Sequence, residues 1–229
     1  MTDLSGIRRS AVDSCLEQLN PVWQVRDFRK IALHFGDPSA EIVTGKVLGL
    51  ADRSLLPRIG LKGPDAVSWA REFGINVPQE IFGWNRAGDD SLAVRLGIGE
   101  IFLEGKHVKD VEKAAAHGIT DGDCFPVRRE DAGFLLTGRR ALEVLAQTCS
   151  YNFRSTEKNL IMTRVARVSC SILVREVKMA ADLVRLPVYH LWTAASYGPF
   201  LWKELIAIVQ DCTGGPVGDE AVNTLLATG

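Results

Sequence analysis

The stretch FLLTGRRALEVLAQTCSYNF, residues 134–153, contains a strand-like segment, a turn and a helical pattern in direct succession. Apolar residues run from Phe134 to Leu136, Gly138 follows as a turn residue, and a helical pattern extends to Cys149. Arg139 and Arg140 stand at the start of that pattern, where positive charge opposes the helix dipole. The stretch therefore predicts a strand, a glycine turn and a helix, and raises the question of what compensates the two cations.

A similar pattern, RIGLKGPDAVSWAREFG, occupies residues 58–74. Ile59 and Leu61 alternate with more polar residues, which is typical of a half-buried strand. Gly63 supplies the turn, and Pro64 suits the first residue of a helix because no N–H is needed there. The two stretches superimpose without gaps, and we interpret them as a duplicated strand-glycine-helix unit. The superimposed pairs are Phe134 on Ile59, Leu136 on Leu61, Gly138 on Gly63, Ala141 on Ala66 and Leu142 on Val67.

The rest of the chain adds strands that are mostly joined by short turns. Strand patterns occur at 28–35, 92–97, 99–105, 160–177 and 185–193. Helical patterns occur at 7–19, 108–118 and 197–211, whereas residues 40–54 are ambiguous between helix and loop. In the helix at 197–211 we expect Phe200, Leu201 and Leu205 to face inward. The combination predicts an α+β fold with mostly antiparallel sheets.

The composition is that of an ordinary globular protein. The net charge is -1, and no basic run is present, so we expect no binding to nucleic acid or to a membrane surface. The chain starts with a polar segment and has no apolar run of about 18 residues, the length that a membrane span needs. No CxxC pair occurs among the cysteines, which favours reduced thiols and a cytoplasmic location. The cysteines are Cys15, Cys124, Cys149, Cys170 and Cys212.

Motifs for metal, nucleotide and nucleophilic chemistry are absent from the sequence. The histidines lack ligand spacing, the GxG at Gly97 is followed by Phe102 rather than a third glycine, and GxSxG does not occur. Cys149 lies at the end of its helix, which favours a structural cysteine over a nucleophile. Glu100 and Glu104 share a strand face and form an acid/base pair only if a cleft encloses them.

The candidate functional residues are therefore sites of contact with another protein rather than catalytic groups. Arg139 and Arg140 are either solvated or paired with a carboxylate, which is Glu130 or Asp131 of this chain or a residue of a partner subunit. The aromatic residues near the C-terminus belong to the core or anchor an interface. The predicted interface residues are Arg139, Arg140, Asn152, Arg154, Tyr197 and Trp202.

Four segments resemble the gamma-subunit family of heterotetrameric sarcosine oxidases, which is similar in fold to the aminomethyltransferases typified by the glycine-cleavage T-protein. The resemblance covers about residues 44–212, and its most specific parts are LKGPDA, TGRRALEVLAQTCSYNF and YGPFLW. The four segments are LADRSLLPRIGLKGPDA, VRREDAGFLLTGRRALEVLAQTCSYNF, MTRVARVS and YHLWTAASYGPFLWKELI. In this family the glycine-turn units are internal repeats of one α/β module.

The resemblance implies an accessory subunit without its own active site. The sequence lacks the GYTGE-like turn, the early acidic folate contact and the arginine before AGL that folate-dependent aminomethyltransferases carry. The family implies alpha, beta and delta partner subunits, with FAD, FMN, NAD and tetrahydrofolate bound by those partners and no cofactor bound by this chain. The complex would oxidise an N-methyl amine such as sarcosine.

Two other functions are alternatives to the accessory subunit, and the sequence also predicts how the chain divides into domains. A stand-alone, tetrahydrofolate-dependent aminomethyl- or methyltransferase-like protein is the first alternative, and a folate-binding regulatory or scaffold protein is the second. Residues 1–43 and the segment 175–187 fit the resemblance poorly, and the identity of the N-methyl substrate stays open. We expect an N-terminal extension at 1–43 and a domain at 44–229 made of modules at about 44–125 and 126–215.

Overall fold

The computed structural model describes residues 6–87, 91–116, 123–155, 159–178 and 185–227. In the described residues, groups of one to three consecutive strands are separated by helices. The helices are α1 Asp13–Glu17, α2 Pro38–Val47, α3 Ala66–Glu72, α4 Val108–Ala116, α5 Ala141–Thr148, α6 Gly198–Asp211 and α7 Asp219–Ala227. The strands are β1 Val22–Arg26, β2 Arg29–His34, β3 Gly49–Asp52, β4 Arg58–Lys62, β5 Trp84–Arg86, β6 Leu92–Gly97, β7 Glu100–Glu104, β8 Phe125–Arg128, β9 Ala132–Thr137, β10 Leu160–Val165, β11 Val168–Lys178, β12 Arg185–Thr193 and β13 Gly215–Pro216.

The chain divides into two compact units. Unit 1 comprises residues 1–55, 131–157 and 162–229, and unit 2 comprises residues 56–130 and 158–161. These bounds differ from the domain division expected from the sequence, and helix α2 runs across the expected boundary after residue 43. None of the helices in the described ranges has the length and apolar character needed to cross a membrane.

Unit 1 is built on a six-stranded sheet with the strand order β10-β11-β12-β9-β3-β13. All its strand pairs of known register are antiparallel except β13 with β3. Helices α2 and α7 contact each other, and apolar residues of α7 join those of the sheet in one buried cluster. Helix α6 contacts β3 and β9, and there the rings of Phe134 and Trp202 lie 5.5 Å apart. The hairpin β1–β2 forms a separate two-stranded sheet that contacts α7.

Unit 2 is a five-stranded antiparallel sheet with the order β5-β6-β7-β4-β8. Alternate residues of β4 and β7 pack with apolar residues of α3 and α4 because strand side chains point to opposite faces. The shared cluster includes Ile59, Leu61, Ile101, Leu103 and Val111. The predicted α+β class with mostly antiparallel sheets is therefore confirmed.

The strand-glycine-helix unit occurs three times within the described ranges, once more than the sequence pattern predicted. Strands β4, β7 and β9 end one residue before Gly63, Gly105 and Gly138, which have φ of 126°, 119° and 114°. In each turn the glycine carbonyl accepts a hydrogen bond from the N–H three residues later, at 3.1, 3.3 and 3.1 Å. Glycine suits this position because L-residues rarely adopt such φ values.

Several local predictions need correction. The first helix covers only Asp13–Glu17, and the strand Val22–Arg26 precedes the predicted one. The ambiguous segment 40–54 contains most of α2 and all of β3, and a further helix follows residue 218. The C-cap predicted at Gly118 lies outside the described residues. Phe200 was expected to face inward, but it is 49% exposed. The buried face of α6 instead includes Trp202 and Ile206.

Candidate functional site

The two arginines lie in the turn between β9 and α5 rather than inside the helix. Helix α5 begins at Ala141, and Arg140 is its N-cap residue. The N–H of Arg139 donates to the carbonyl of Lys46 at 3.1 Å, and the N–H of Arg140 donates to that of Val47 at 2.9 Å. The backbone of the turn thus satisfies carbonyls at the C-terminal end of α2, which would otherwise lack partners.

The guanidinium of Arg140 has a carboxylate partner within its own helix. Its Nε donates to Glu143 Oε1 at 2.8 Å and its Nη2 to Glu143 Oε2 at 2.7 Å, which is a bidentate pair. Its Nη1 donates to the carbonyl of Cys212 at 2.8 Å and to Thr213 Oγ1 at 3.0 Å. Because Cys212 follows the last residue of α6, the cation also lies at a helix C-terminus, where positive charge is favourable.

Glu143 is the functional partner that the sequence analysis missed. We expected the arginines to be solvated or to pair with Glu130, Asp131 or a carboxylate of a partner subunit, but the carboxylate at Arg140 is Glu143. The spacing of three residues along one helix is a recognised signal for such a pair, and it is visible in the sequence. The structure therefore assigns Arg140 an internal role, in which it joins the start of α5 to the end of α6.

The Arg140–Glu143 pair predicts a pH-dependent contribution to stability. The hydrogen bond to Arg140 lowers the pKa of Glu143, and the same bond raises the pKa of Arg140. A carboxyl whose pKa is lower in the folded state stabilises the fold above its unfolded pKa of about 4.3, and the effect fades as pH falls through the folded value. We expect wild type to melt slightly above Glu143→Gln at pH 7, with the gap closing below pH about 4. Differential scanning fluorimetry over this range measures the gap, and a gap that does not change with pH contradicts the assignment.

Arg139, Asn152 and Arg154 lie on the surface. The side chains of Arg139 and Arg154 make no hydrogen bond or ion pair within the described part of the chain, and both residues are exposed. Asn152 Oδ1 accepts from the N–H of Arg154 at 3.1 Å, which fixes the short 3₁₀ turn Phe153–Ser155. All three residues are exposed, and their place in an interface stays a prediction.

The two aromatic residues of the predicted interface separate. The side chain of Tyr197 is 56% exposed at the start of α6 and stays a surface candidate. Trp202 is 1% exposed and packs against Phe134 at a ring distance of 5.5 Å. The prediction of an interface role for Trp202 is therefore wrong, because its indole belongs to the core of unit 1.

The two glutamates of β7 are engaged in separate ion pairs. Glu104 Oε2 accepts from Arg58 Nε at 2.6 Å, and both side chains are buried. Glu100 contacts Lys62 Nζ at 3.1 Å in an exposed pair. The strand register explains this arrangement, since β4 and β7 place Arg58 opposite Glu104 and Lys62 opposite Glu100. Each carboxylate thus has its own cation, and the geometry is that of structural pairs rather than of an acid/base pair.

The cysteines and metal-ligating residues show no catalytic geometry in the part of the chain that is described. Cys149 is buried at the C-terminal end of α5, and its Sγ lies 3.5 Å from Thr163 Oγ1. Burial raises the pKa of the Cys170 thiol to about 11, so this thiol is protonated at neutral pH. No group of three His, Cys, Asp or Glu residues in the described ranges is arranged to hold a metal ion.

Comparison with known proteins identifies the fold. No protein-family profile matches the sequence, and no curated protein sequence matches it. Among solved structures, the glycine cleavage system aminomethyltransferase T from Bartonella henselae is similar with a TM-score of 0.74 at 15% identity. The match covers 96% of this chain and 62% of that one, so this chain spans less than two thirds of the aminomethyltransferase.

A second similar structure is a chain of the heterotetrameric sarcosine oxidase from Corynebacterium sp. U-96, in complex with pyrrole 2-carboxylate. Its TM-score is 0.56 at 17% identity, and the match covers 79% of this chain and 94% of that one. Both identities are low, so the likeness establishes the fold and not the activity. The chain has the aminomethyltransferase T fold that the sequence resemblance implied.

Proposed function

We propose that this chain is the gamma-type, non-catalytic accessory subunit of a multi-subunit, flavin- and folate-dependent sarcosine oxidase or a related N-methyl amine oxidase. Its partners are alpha, beta and delta subunits, which hold FAD, FMN, NAD and tetrahydrofolate. In this assignment the chain binds no cofactor itself and serves to assemble the complex.

The observation that carries the proposal is the coverage of the two structural matches. Almost the whole matched chain of the sarcosine oxidase, 94% of it, is accounted for by this chain. Only 62% of the aminomethyltransferase is accounted for. Nearly all of one chain of a heterotetrameric oxidase therefore has the same fold as part of this chain. The separate ion pairs of Glu100 and Glu104 also support a role in assembly, because the strongest acid/base candidates of the sequence are structural.

A stand-alone, tetrahydrofolate-dependent transferase-like protein is the second candidate. The TM-score of 0.74 over 96% of this chain favours it, because nearly every part of the chain has an equivalent in the aminomethyltransferase. The two candidates differ in whether the isolated chain binds folate and in whether it needs partner subunits.

Co-expression with the alpha, beta and delta chains of its own oxidase tests the assembly role. We expect the chain to co-purify with them as a stable, yellow complex that oxidises an N-methyl amine. The same chain purified alone is expected to be colourless and inactive. The measurements are size-exclusion chromatography, flavin absorbance and hydrogen peroxide production.

The outcome for the isolated chain separates the two candidates. Saturable binding of tetrahydrofolate to the chain alone at tens of micromolar, measured by calorimetry, would favour the transferase-like protein. Failure of the chain to join the three oxidase subunits would contradict the accessory role. Assembly combined with no folate binding to the isolated chain is the result that we expect.

A further inference from the structure

Strand β10 lies at one edge of the six-stranded sheet of unit 1, where its neighbour among the described strands is β11. β10 ends at Val165 and β11 begins at Val168, so a two-residue turn joins them and these two valines pair with each other. Backbone N–H and C=O groups alternate in direction along a strand. Those of Met162 and Arg164 therefore point away from β11, and we call these two residues the open edge.

The hydrogen bonds on either side of the open edge agree with this direction. The N–H of Leu160 donates to the Phe82 carbonyl at 2.7 Å, and the N–H of Ala166 donates to the Thr148 carbonyl at 2.8 Å. Both acceptors lie outside the sheet. The two N–H groups of the open edge have no such acceptor within the described residues. Unpaired backbone groups at the edge of a sheet are a template for pairing with another strand.

The side chains at the open edge combine an apolar surface with positive charge. Met162 is 59% exposed, Arg164 is exposed, and the two share one face because they are two residues apart. Arg167 in the turn is exposed as well. Neither guanidinium makes a hydrogen bond or an ion pair within the described part of the chain. From residue 160 to residue 174 these arginines are the charged residues, so the hairpin offers them no carboxylate.

The turn itself is unusual for a two-residue hairpin. Ala166 and Arg167 have φ of 46° and 70°, the left-handed region that such turns require. Glycine normally fills the second position, because it adopts this conformation without steric cost. Arg167 thus places a cation beside the open edge at a position where an arginine does not favour the backbone conformation.

We propose that the open edge accepts an added β-strand from another subunit of the oxidase complex. The main-chain groups of Met162 and Arg164 can pair only with an extended segment, and in such strand addition the side chains supply the specificity. The added segment carries a carboxylate opposite Arg164 and, two residues away, an apolar side chain opposite Met162, since cross-strand pairs of these kinds are favourable. The inference rests on the proposed function, because the added strand belongs to a subunit of that complex.

Competition during assembly tests the proposal. Epitope-tagged wild type and an untagged variant are co-expressed with the alpha, beta and delta chains, and the ratio of the two in the purified complex is measured. Arg164→Glu reverses the charge, and Met162→Pro removes an N–H that does not bond to β11. We expect each variant to be incorporated about tenfold less than wild type or worse. Both isolated variants should melt close to wild type, because both side chains are exposed and the pairing of β10 with β11 is kept.

A matched control and a second measurement accompany the competition. Lys203→Glu reverses the charge of an exposed residue on α6 of the same unit and should compete equally with wild type. Hydrogen exchange measured by mass spectrometry on a peptide that spans residues 160–167 reports on the backbone itself. The amides of Met162 and Arg164 should exchange quickly in the isolated chain and be protected in the complex.

The outcomes separate this proposal from the proposed function. If wild type itself is not incorporated, the proposed function fails and the strand addition fails with it. If wild type is incorporated and both variants compete equally, only the strand addition is overturned, and Arg164 is a charge that keeps the edge from pairing. Weak incorporation of Arg164→Glu alone would indicate a side-chain contact and also overturn the strand addition. Self-association of the isolated chain that Met162→Pro abolishes would assign the edge to a second copy and overturn it too.

Discussion

Replacing Glu104 with glutamine is expected to lower the free energy of unfolding by about 3–5 kcal/mol, the usual cost of breaking a buried ion pair. Arg58 Nε lies 2.6 Å from Glu104 Oε2, and the two side chains are 1% and 3% exposed. Glutamine keeps the size of the side chain but removes the negative charge that Glu104 places beside the buried guanidinium. Urea unfolding of the isolated chain, followed by circular dichroism, measures the loss.

Two further variants separate the buried charge from other effects. Glu100→Gln breaks the neighbouring pair of the same strand ladder, in which Lys62 is 49% exposed, and should cost less than about 1 kcal/mol. The double variant Arg58→Met with Glu104→Leu removes both charges and should recover most of the loss, because apolar residues of similar size can replace a buried pair. Similar losses for Glu104→Gln and Glu100→Gln would contradict the buried-charge explanation.

The fold was predictable where the determining signals are local. A strand that ends in a glycine and leads into a helix is specified by residues within about one turn of each other, so the units at Gly63 and Gly138 were identified from the sequence. The third unit at Gly105 has the same backbone geometry. Its sequence, LEGKHV, has no counterpart of Pro64 or of the pair Arg139 and Arg140, which follow the other two glycines. It was therefore predicted as a strand and a helix without a shared motif.

The candidate site was predictable only in part because its geometry combines local and distant contacts. The partner of Arg140 within its helix is three residues away, but the other acceptors, Cys212 and Thr213, are 72 and 73 residues away in the chain. No sequence pattern relates residues at that separation. Trp202 was placed at an interface because Trp and Tyr residues often anchor interfaces, although a core position was the other interpretation. Contact with Phe134 of β9 decides between the two, and this contact depends on the tertiary structure.

The turn of the hairpin β1–β2 shows a different limit of sequence reasoning. Phe28 fitted the start of a predicted strand, since aromatic residues are common in strands. The structure instead places it in a two-residue turn at a positive φ of 58°. Glycine at this point would have indicated the hairpin directly, since Asp-Gly is a typical residue pair for such a turn. The departure from the usual turn residues therefore concealed the element.

Replacing Gly138 with alanine is expected to destabilise the chain by more than the strain of about 1–3 kcal/mol that a non-glycine residue has in a sparsely populated backbone region. The φ of Gly138 is 114°, and an added Cβ would lie 2.4 Å from both the carbonyl carbon and the carbonyl oxygen of Val47. These atoms belong to the backbone at the end of α2, where the N–H of Arg140 binds the same carbonyl. Relief of the clash therefore requires movement of the turn away from α2, which weakens that hydrogen bond as well.

Two other glycines provide graded controls for this expectation. Gly74 has a φ of 88° with nothing within 4 Å of an added Cβ, so Gly74→Ala tests the backbone strain alone. Gly36 has neither a positive φ nor a close neighbour, and Gly36→Ala should be neutral or stabilise the chain by about 0.4–1 kcal/mol through the unfolded state. The expected order of unfolding free energies is Gly36→Ala highest, Gly74→Ala lower and Gly138→Ala lowest.

If Gly138→Ala unfolds at the same urea concentration as Gly74→Ala, the close approach of the turn to α2 contributes nothing to stability. A loss that is larger for Gly138→Ala shows that glycine is required at position 138 by the packing of this turn on α2 as well as by its φ.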